Sequence, residues 1–181
     1  MMDKNRKIPS HILYRRLLDH MNEGVWMGDE KEKTIYANQK FLKMVGYGLE
    51  EILGKESYIF WDKESSKKVK HENEAKRKKG VSSSYEGNLI TKKGKKIPVL
   101  LSGTPLPDGG TIGIITDLTE LKKKEETEKI LNSAIQHATD AIIILTHRGT
   151  IKSWNKGGKI VFGYKKEEIL EKKIDKIFIK E

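Results

Sequence analysis

The chain contains no cysteine, four prolines and three tryptophans in 181 residues, and its longest apolar run is the five residues 141–145. The first absence removes disulfides, thiolate zinc sites, iron–sulfur clusters and cysteine nucleophiles, and fits a cytosolic protein. A run of five falls far short of the ~20 apolar residues that a membrane-spanning helix needs. The polar start Met1, Met2, Asp3, Lys4, Asn5, Arg6, Lys7 has no apolar stretch behind it, so no secretory signal is expected and the expected location is cytoplasmic. Arginine is also scarce. Only Arg6, Arg15, Arg16, Arg77 and Arg148 occur among 36 basic residues. The formal charge of +10 therefore rests on lysines, which supply solubility more than bidentate phosphate recognition. They are scattered, with clusters at 76–79, 92–96 and 122–124 where helix ends or a hairpin tip are expected, so biased composition outweighs attraction to acidic surfaces. With 36% hydrophobic and 34% charged residues there is material for one modest core, which excludes a large multidomain enzyme.

What the chain does have is an internal repeat. A shift of 117 residues places Asn38 on Asn155, Gly46 and Tyr47 on Gly163 and Tyr164, Glu50, Glu51, Ile52 and Leu53 on Glu167, Glu168, Ile169 and Leu170, Lys55 on Lys172 and His20 on His137, without a gap. Between the copies, residues 122–129 form a polar run without Gly or Pro and read as a helical linker. The expected organisation is an N-terminal tail at 1–9, a domain at 10–120 that includes a leading helix, a linker at 121–131, and an incomplete second copy at 132–181.

In the first copy, Ser10 precedes Leu13, Tyr14, Leu17, Leu18 and Met21, a spacing that predicts an amphipathic helix N-capped by Ser10 and covering a core. Residues 25–27 and 34–36 read as a hairpin. Asn38 is expected to cap a short helix carrying Phe41, Leu42, Met44 and Val45, which Gly46 ends with a positive φ. A helical turn at 50–53 and a longer polar helix over 62–79 follow, the latter closed by Gly80. Strands are predicted at 83–91, 97–105 and 111–118, with Ile112, Ile114, Thr116 and Leu118 on one face of the last. This order gives the α+β class, one five-stranded antiparallel sheet with helices on one face.

With these residues in place the first copy resembles a PAS sensory domain. That family shows a D-x-x-G hairpin, an N opening the next helix, an L-G-Y-like triplet, an E-E-L-x-G-like turn, and a D-I-T-E-like tetrapeptide feeding a signalling helix. Here the positions hold Asp29, Asn38, Val45 with Gly46 and Tyr47, Glu50 through Gly54, and Asp117, Leu118, Thr119 and Glu120. Two departures stand out: Glu32 takes the hairpin glycine's place in copy one, and Thr146 replaces the Asp in copy two, which keeps Gly149. Neither is expected to endanger the fold. Asp117 and Glu120 have capping-box spacing, so Asp117 is expected to accept an N–H at the start of the linker helix while Glu120 reaches back. Asp117, Thr119 and Glu120 would then couple the last strand to that helix. A stabilising cap of ~1 kcal/mol accounts for the same residues.

The resemblance implies a cofactor or ligand between sheet and helices, and the residues narrow the choice. Residues 38–43 resemble the N-C-R-F-L-Q stretch of flavin-binding LOV photosensors, but Gln39 stands at the reactive cysteine, which excludes a flavin–cysteine adduct. His71 lies on the helix that offers haem its axial histidine, yet its neighbours Lys68, Lys70, Glu72 and Glu74 are charged, which argues against haem. His20 and His137 do not resemble a histidine-kinase phosphoacceptor box. Among the five histidines no metal-ligand spacing appears, and no P-loop, G-x-S-x-G or GGDEF-like stretch is present, so neither a metal nor a catalytic residue is expected. Met27, Tyr36, Phe41, Met44, Trp61 and Tyr85 are the candidates to line a pocket for a small apolar ligand. Ordinary core packing explains the same residues and is weighted above it.

The function expected is thus a sensory and dimerisation module of a cytosolic signal-transduction protein, the input region of a histidine kinase or another regulator, with no output domain and no catalysis of its own. A homodimer through the flanking helices at 10–21 and 120–131 is expected, with no membrane contact. The rival is a basic scaffold binding nucleic acid or acidic partners, which a salt-dependent filter-binding titration would reveal. Because copy one closes at Glu120, copy two holds only two strands and short helices, and Ile142, Ile143, Ile144 and Trp154 are expected to lie exposed, with early proteolysis beyond about Lys129.

Overall fold

The computed structural model describes residues 9–178, so most of the expected tail and the last three residues of the second copy lie outside the described residues. It divides into one unit ending at Lys122 and a second beginning at Lys123. No helix among the described residues is long and apolar enough to cross a membrane.

In the first unit, helix α1 (Ser10–Asp19) leads into β1 (Gly24–Gly28) and β2 (Thr34–Ala37). Then come α2 (Gln39–Val45), α3 (Leu49–Ile52), a 3-10 turn at Ser57–Phe60, α4 (Lys63–Ala75), a second 3-10 turn at Arg77–Lys79, and the strands β3 (Ser83–Ile90), β4 (Lys96–Pro105) and β5 (Thr111–Asp117). The sheet order is β2-β1-β5-β4-β3, antiparallel throughout, so the first hairpin lies beside the last strand. Alternation sets the faces. Ile97, Val99 and Leu101 of β4, Tyr85 and Leu89 of β3, Ile115 of β5 and Trp26 of β1 point inward and form one core with Phe41, Leu42, Met44 and Val45 of α2, Ile52, Phe60 and Val69. At ~25 cal/mol per Å² of apolar surface, burying such side chains is the main favourable contribution to the fold.

Three expectations need correction, and the shared face of β5 can be placed. Pro9, not Ser10, precedes the first helix: its carbonyl accepts from the amides of Ile12 and Leu13 at 2.9 and 3.1 Å, and Ser10 is already helical. Proline has no N–H to lose and its φ of −53° is preset for the role, which brings the helix start one residue forward. Nor does α1 bury its apolar stripe, because Leu13, Tyr14 and Leu17 stay exposed in the chain. The helix over 62–79 is broken after Ala75, and its last turn tightens to 3-10 before Gly80 closes it with a φ of 76°. In β5 the Ile112, Ile114 and Thr116 face is the outer one, while Thr111, Gly113 and Ile115 face the helices. A Cβ on Gly113 would press on Leu101 Cδ1 at 3.2 Å, with the Trp26 ring in ordinary contact at 3.6 Å.

Helix α5 (Thr119–His137) follows β5 and runs unbroken past the expected end of the linker. The second unit continues with β6 (Ile143–Leu145), β7 (Ile151–Trp154), α6 (Lys156–Phe162), α7 (Lys166–Ile169) and α8 (Asp175–Phe178). The two strands pair antiparallel, forming the start of a second sheet of the same kind. Trp154, expected to be exposed, is buried with Ile151, Ile169 and Ile177, and Phe162, Tyr164 and Ile174 pack against them. Its Nε1 donates to the Tyr164 carbonyl at 3.0 Å. The short helices thus close over one face of the hairpin and supply a core that two strands alone lack. Ile142 and Ile143 are half-buried, and Ile144 is exposed as expected.

Candidate functional site

Sheet and helices are locked together at Asn38, which is fully buried. Its Oδ1 accepts from the amides of Phe41 and Val25, both at 2.9 Å, while its Nδ2 donates to the carbonyls of Leu18 at 2.8 Å and Glu23 at 3.1 Å. Asn38 is therefore an N-cap of α2 and also a tie to β1 and the end of α1. Asn155 does the same in copy two. Its Oδ1 accepts from Gly158 and Ile142 at 2.8 and 2.9 Å, and its Nδ2 donates to Ile135 and Asp140 at 3.0 and 2.8 Å. Gly46 and Gly163 end the following helices with φ of 74° and 79°. Tyr47 packs on Phe60, ring centroids 5.8 Å apart, and Gly54 closes the next turn with a positive φ.

Between the inner sheet face and the helices lies an apolar cavity of about 20 Å³, lined by Trp26, Phe41, Phe60, Trp61, Leu101 and Ile115 among others. That is room for about one water. It adjoins a larger, polar cleft of about 170 Å³, and the two share Glu32, Arg77 and Thr111. Of the six expected pocket residues, Phe41 and Trp61 line the inner cavity. Tyr85 is buried in the core beside it, and Met44 packs over Gly24 at the end of the sheet. Met27 and Tyr36 do not join them. They pair with each other one residue out of phase with Trp26 and Ala37, which puts both on the outer face. There burial, reinforced by Asp19, raises the Tyr36 phenol above its usual value.

The sequence reading missed Arg77. Ser65, Val69, Asn73 and Arg77 recur at every fourth position, all buried, so a polar stripe forms the inner face of α4 and the turn after it. Its guanidinium lies flat on β4, where a Cβ on Gly103 would come within 2.6 Å of Nη2 and closer still to Cζ and Nε. Nη1 donates to Asn73 Oδ1 at 3.0 Å and Nη2 to Tyr85 Oη at 2.9 Å. The Nε is buried without a partner. Among the described residues no carboxylate stands within 4.0 Å of this cation. Burial pushes the Tyr85 hydroxyl up to about 12, against the opposing pull of Arg77. Tyr58, also raised by burial, accepts from Asn73 Nδ2 at 3.5 Å. A sequence signal existed: one arginine within a lysine cluster, the residue type suited to buried polar contacts.

Glu32 holds the opposite side of the cleft. It adopts a left-handed φ of 59°, the place where copy two has Gly149 at 75°. Its Oε1 accepts from Thr111 Oγ1 at 3.2 Å and its Oε2 from Ser57 Oγ at 3.5 Å. The other departure is equally well accommodated, since Thr146 Oγ1 accepts from the Thr150 amide as Asp29 Oδ1 does from Lys33.

At the exit of the sheet, Asp117 Oδ1 accepts from the Thr119 amide at 2.8 Å. This Asx turn ties the end of β5 to the start of α5 at Thr119, with Glu120 the second residue of the helix. His20 and His71 are exposed, and His137 Nδ1 meets the Ser133 carbonyl at 2.8 Å.

This sheet order, the asparagine tie and the strand-to-helix exit are those of a PAS domain, and the chain belongs to that family. The family's models match residues 22–120 and again 129–180. A domain of a sensory box sensor histidine kinase/response regulator from Geobacter sulfurreducens is similar at 24% identity and a TM-score of 0.53, over 60% of this chain and 94% of that one. The PAS domain of an HTR-like protein from Haloarcula marismortui gives 17% identity and 0.53 over 60% and 91%. A PAS domain from a two-component sensor histidine kinase gives 16% and 0.52 over 60% and 96%. No curated protein sequence matches the chain. The first copy is a PAS domain.

Proposed function

We propose that this chain is the sensory and dimerisation region of a cytosolic signalling protein, in which a small molecule or partner changes the first unit and the change passes to α5. The observation that carries this reading is the exit of the sheet. Strand β5 is hydrogen-bonded on both sides, to β1 and β4, and is tied directly to the first turn of α5 through Asp117. A shift of β5 against its neighbours must therefore move the start of the helix. The cleft at Arg77 provides the place where a ligand would act, and the exposed Leu13, Tyr14 and Leu17 of α1 provide apolar surface for a second copy. Domain bounds of 10–120 and 132–181 with a linker over 121–131 accompany this reading. Similarity to domains of sensor histidine kinases supports a two-component output elsewhere in a parent protein. Native mass spectrometry of the purified chain tests the proposal. A dimer, or a chain carrying a bound small molecule, is the expected result; a bare monomer across the micromolar range overturns it.

A further inference from the structure

Two opposite charges line the same cleft without meeting. Arg77 is nine-tenths buried or more, has a free Nε, and has no carboxylate partner among the described residues. Glu32 lies across from it, each carboxylate oxygen engaged by a single hydroxyl and able to accept again. A buried guanidinium without a counter-charge is costly, and a direct bridge to Glu32 would remove that cost. The fold instead fixes the guanidinium on β4 through Gly103, Asn73 and Tyr85 and holds Glu32 in a left-handed turn. A non-glycine residue there costs roughly 1 kcal/mol, and copy two avoids it with Gly149.

We propose that Arg77 and Glu32 form a binding site for a free α-amino acid with a short apolar side chain, the carboxylate on the Arg77 guanidinium and the ammonium on Glu32. This rests on the reading of the first unit as a ligand sensor and specifies its ligand. Charge balance selects the class. The remaining charged groups of the cleft are Glu30, Lys31, Glu74 and Lys78, of which Glu74 and Lys78 pair with each other and Glu30 and Lys31 offset. A cleft that is neutral as a whole gains nothing from phosphate or a dicarboxylate, which would set a second negative charge beside Glu32. A zwitterion adds no net charge and supplies an opposite charge to both the buried guanidinium and the half-buried carboxylate. Size agrees: the polar cleft of about 170 Å³ is many times the inner cavity of about 20 Å³ that has room for one water. The small cavity beyond, walled by Trp26, Phe41 and Leu101, leaves space for little more than a methyl group.

The test is isothermal titration calorimetry of the whole chain with each of the twenty amino acids, with propionate and ethylamine as the two half-molecules, and with toluene as an apolar probe. Binding of alanine or valine is expected, at least tenfold tighter than propionate or ethylamine. Arg77→Met and Glu32→Gln should each weaken it at least tenfold. Glu32→Gln keeps the turn and its side-chain shape, so it decides the matter if Arg77→Met fails to fold. Absence of binding by any amino acid, or binding unchanged in Glu32→Gln, overturns the proposal. If toluene or propionate binds where no amino acid does, the sensor reading stands and this assignment alone falls. If nothing binds, the assignment falls, and the native mass measurement decides the sensor reading by itself.

Discussion

Asn155 repeats the hydrogen bonds of Asn38 partner for partner at the same chain offset. Gly158 stands for Phe41, Ile142 for Val25, Ile135 for Leu18 and Asp140 for Glu23. The register found by matching letters is therefore a register of geometry. A plain helix cap would need the oxygen alone, whereas both copies also use the amide N–H groups to hold backbone carbonyls.

That distinction is open to measurement. Aspartate caps helices as well as asparagine does, so a capping role alone predicts little change in Asn38→Asp. Here the change sets a carboxylate oxygen against the carbonyls of Leu18 and Glu23 in a fully buried place. A loss of about 2–4 kcal/mol in urea unfolding is expected, approaching that of Asn38→Ala. A loss below about 0.5 kcal/mol would reduce Asn38 to a cap.

Gly103 is the floor under Arg77. Gly103→Ala places a methyl group inside the volume of the guanidinium. The arginine must move and give up its bonds to Asn73 and Tyr85, at an expected cost of roughly 1–3 kcal/mol. Unfolding by denaturant measures the cost. Ultraviolet titration of the tyrosines reads the same event, because the late-titrating Tyr85 loses its cationic neighbour.

The exposed stripe on α1 gives a test of self-association. Replacing Leu13 and Leu17 together by glutamine should convert a dimer to monomer in sedimentation velocity while leaving the melting temperature of the first unit within a few degrees. Both side chains are more than 40% exposed, so their loss removes little of the core. A dimer of unchanged strength would place the contact elsewhere.

Acid stability should depend on Asp62, the N-cap of α4. Burial works to raise its carboxyl, but the Ser65 amide at 2.8 Å, the Ser65 hydroxyl and Lys96 at 3.1 Å outweigh it and hold it down to about 2. The folded value lies below the unfolded one of about 4, so the stabilisation is present above pH 4 and drains away as pH falls toward 2. Asp62→Ala should lower stability by about 1 kcal/mol at neutral pH and flatten the fall between pH 4 and 2. Parallel acid limbs for the two proteins would remove Asp62 from the account.

Much of this architecture is legible in the sequence because its signals are local. The caps at Asn38 and Asn155, the positive φ at Gly46 and Gly163, and the period of two in β3, β4 and β5 depend on a few neighbouring residues. The choice of inner face does not. In β5 the larger side chains Ile112 and Ile114 point outward, and the inner face carries Gly113, where a Cβ would press on Leu101 Cδ1 of the neighbouring strand at 3.2 Å. The same holds for α4. Its buried stripe is Ser65, Asn73 and Arg77 around a single Val69, and a rule that sends polar residues to solvent turns that helix inside out. The cleft was hidden for this reason: Arg77 and Glu32 look like surface until the fold brings Glu32 of the first hairpin opposite the turn that follows α4.

The place of β1 in the sheet sets the order in which the first unit can be assembled. Its partner β2 follows within ten residues, but its other partner is β5, with Gly24 paired to Ile115. Closing a loop of that length costs more entropy than any local hairpin, and the pairing is the least local in the sheet. A ribosome releases the N-terminus first, so the opening hairpin waits with an unpaired edge until the last strand emerges, while β3, β4 and β5 can pair in turn as each follows the next. Docking of the first hairpin onto β5 is thus the late, slow event of folding, and the growing chain is most open to aggregation just before it.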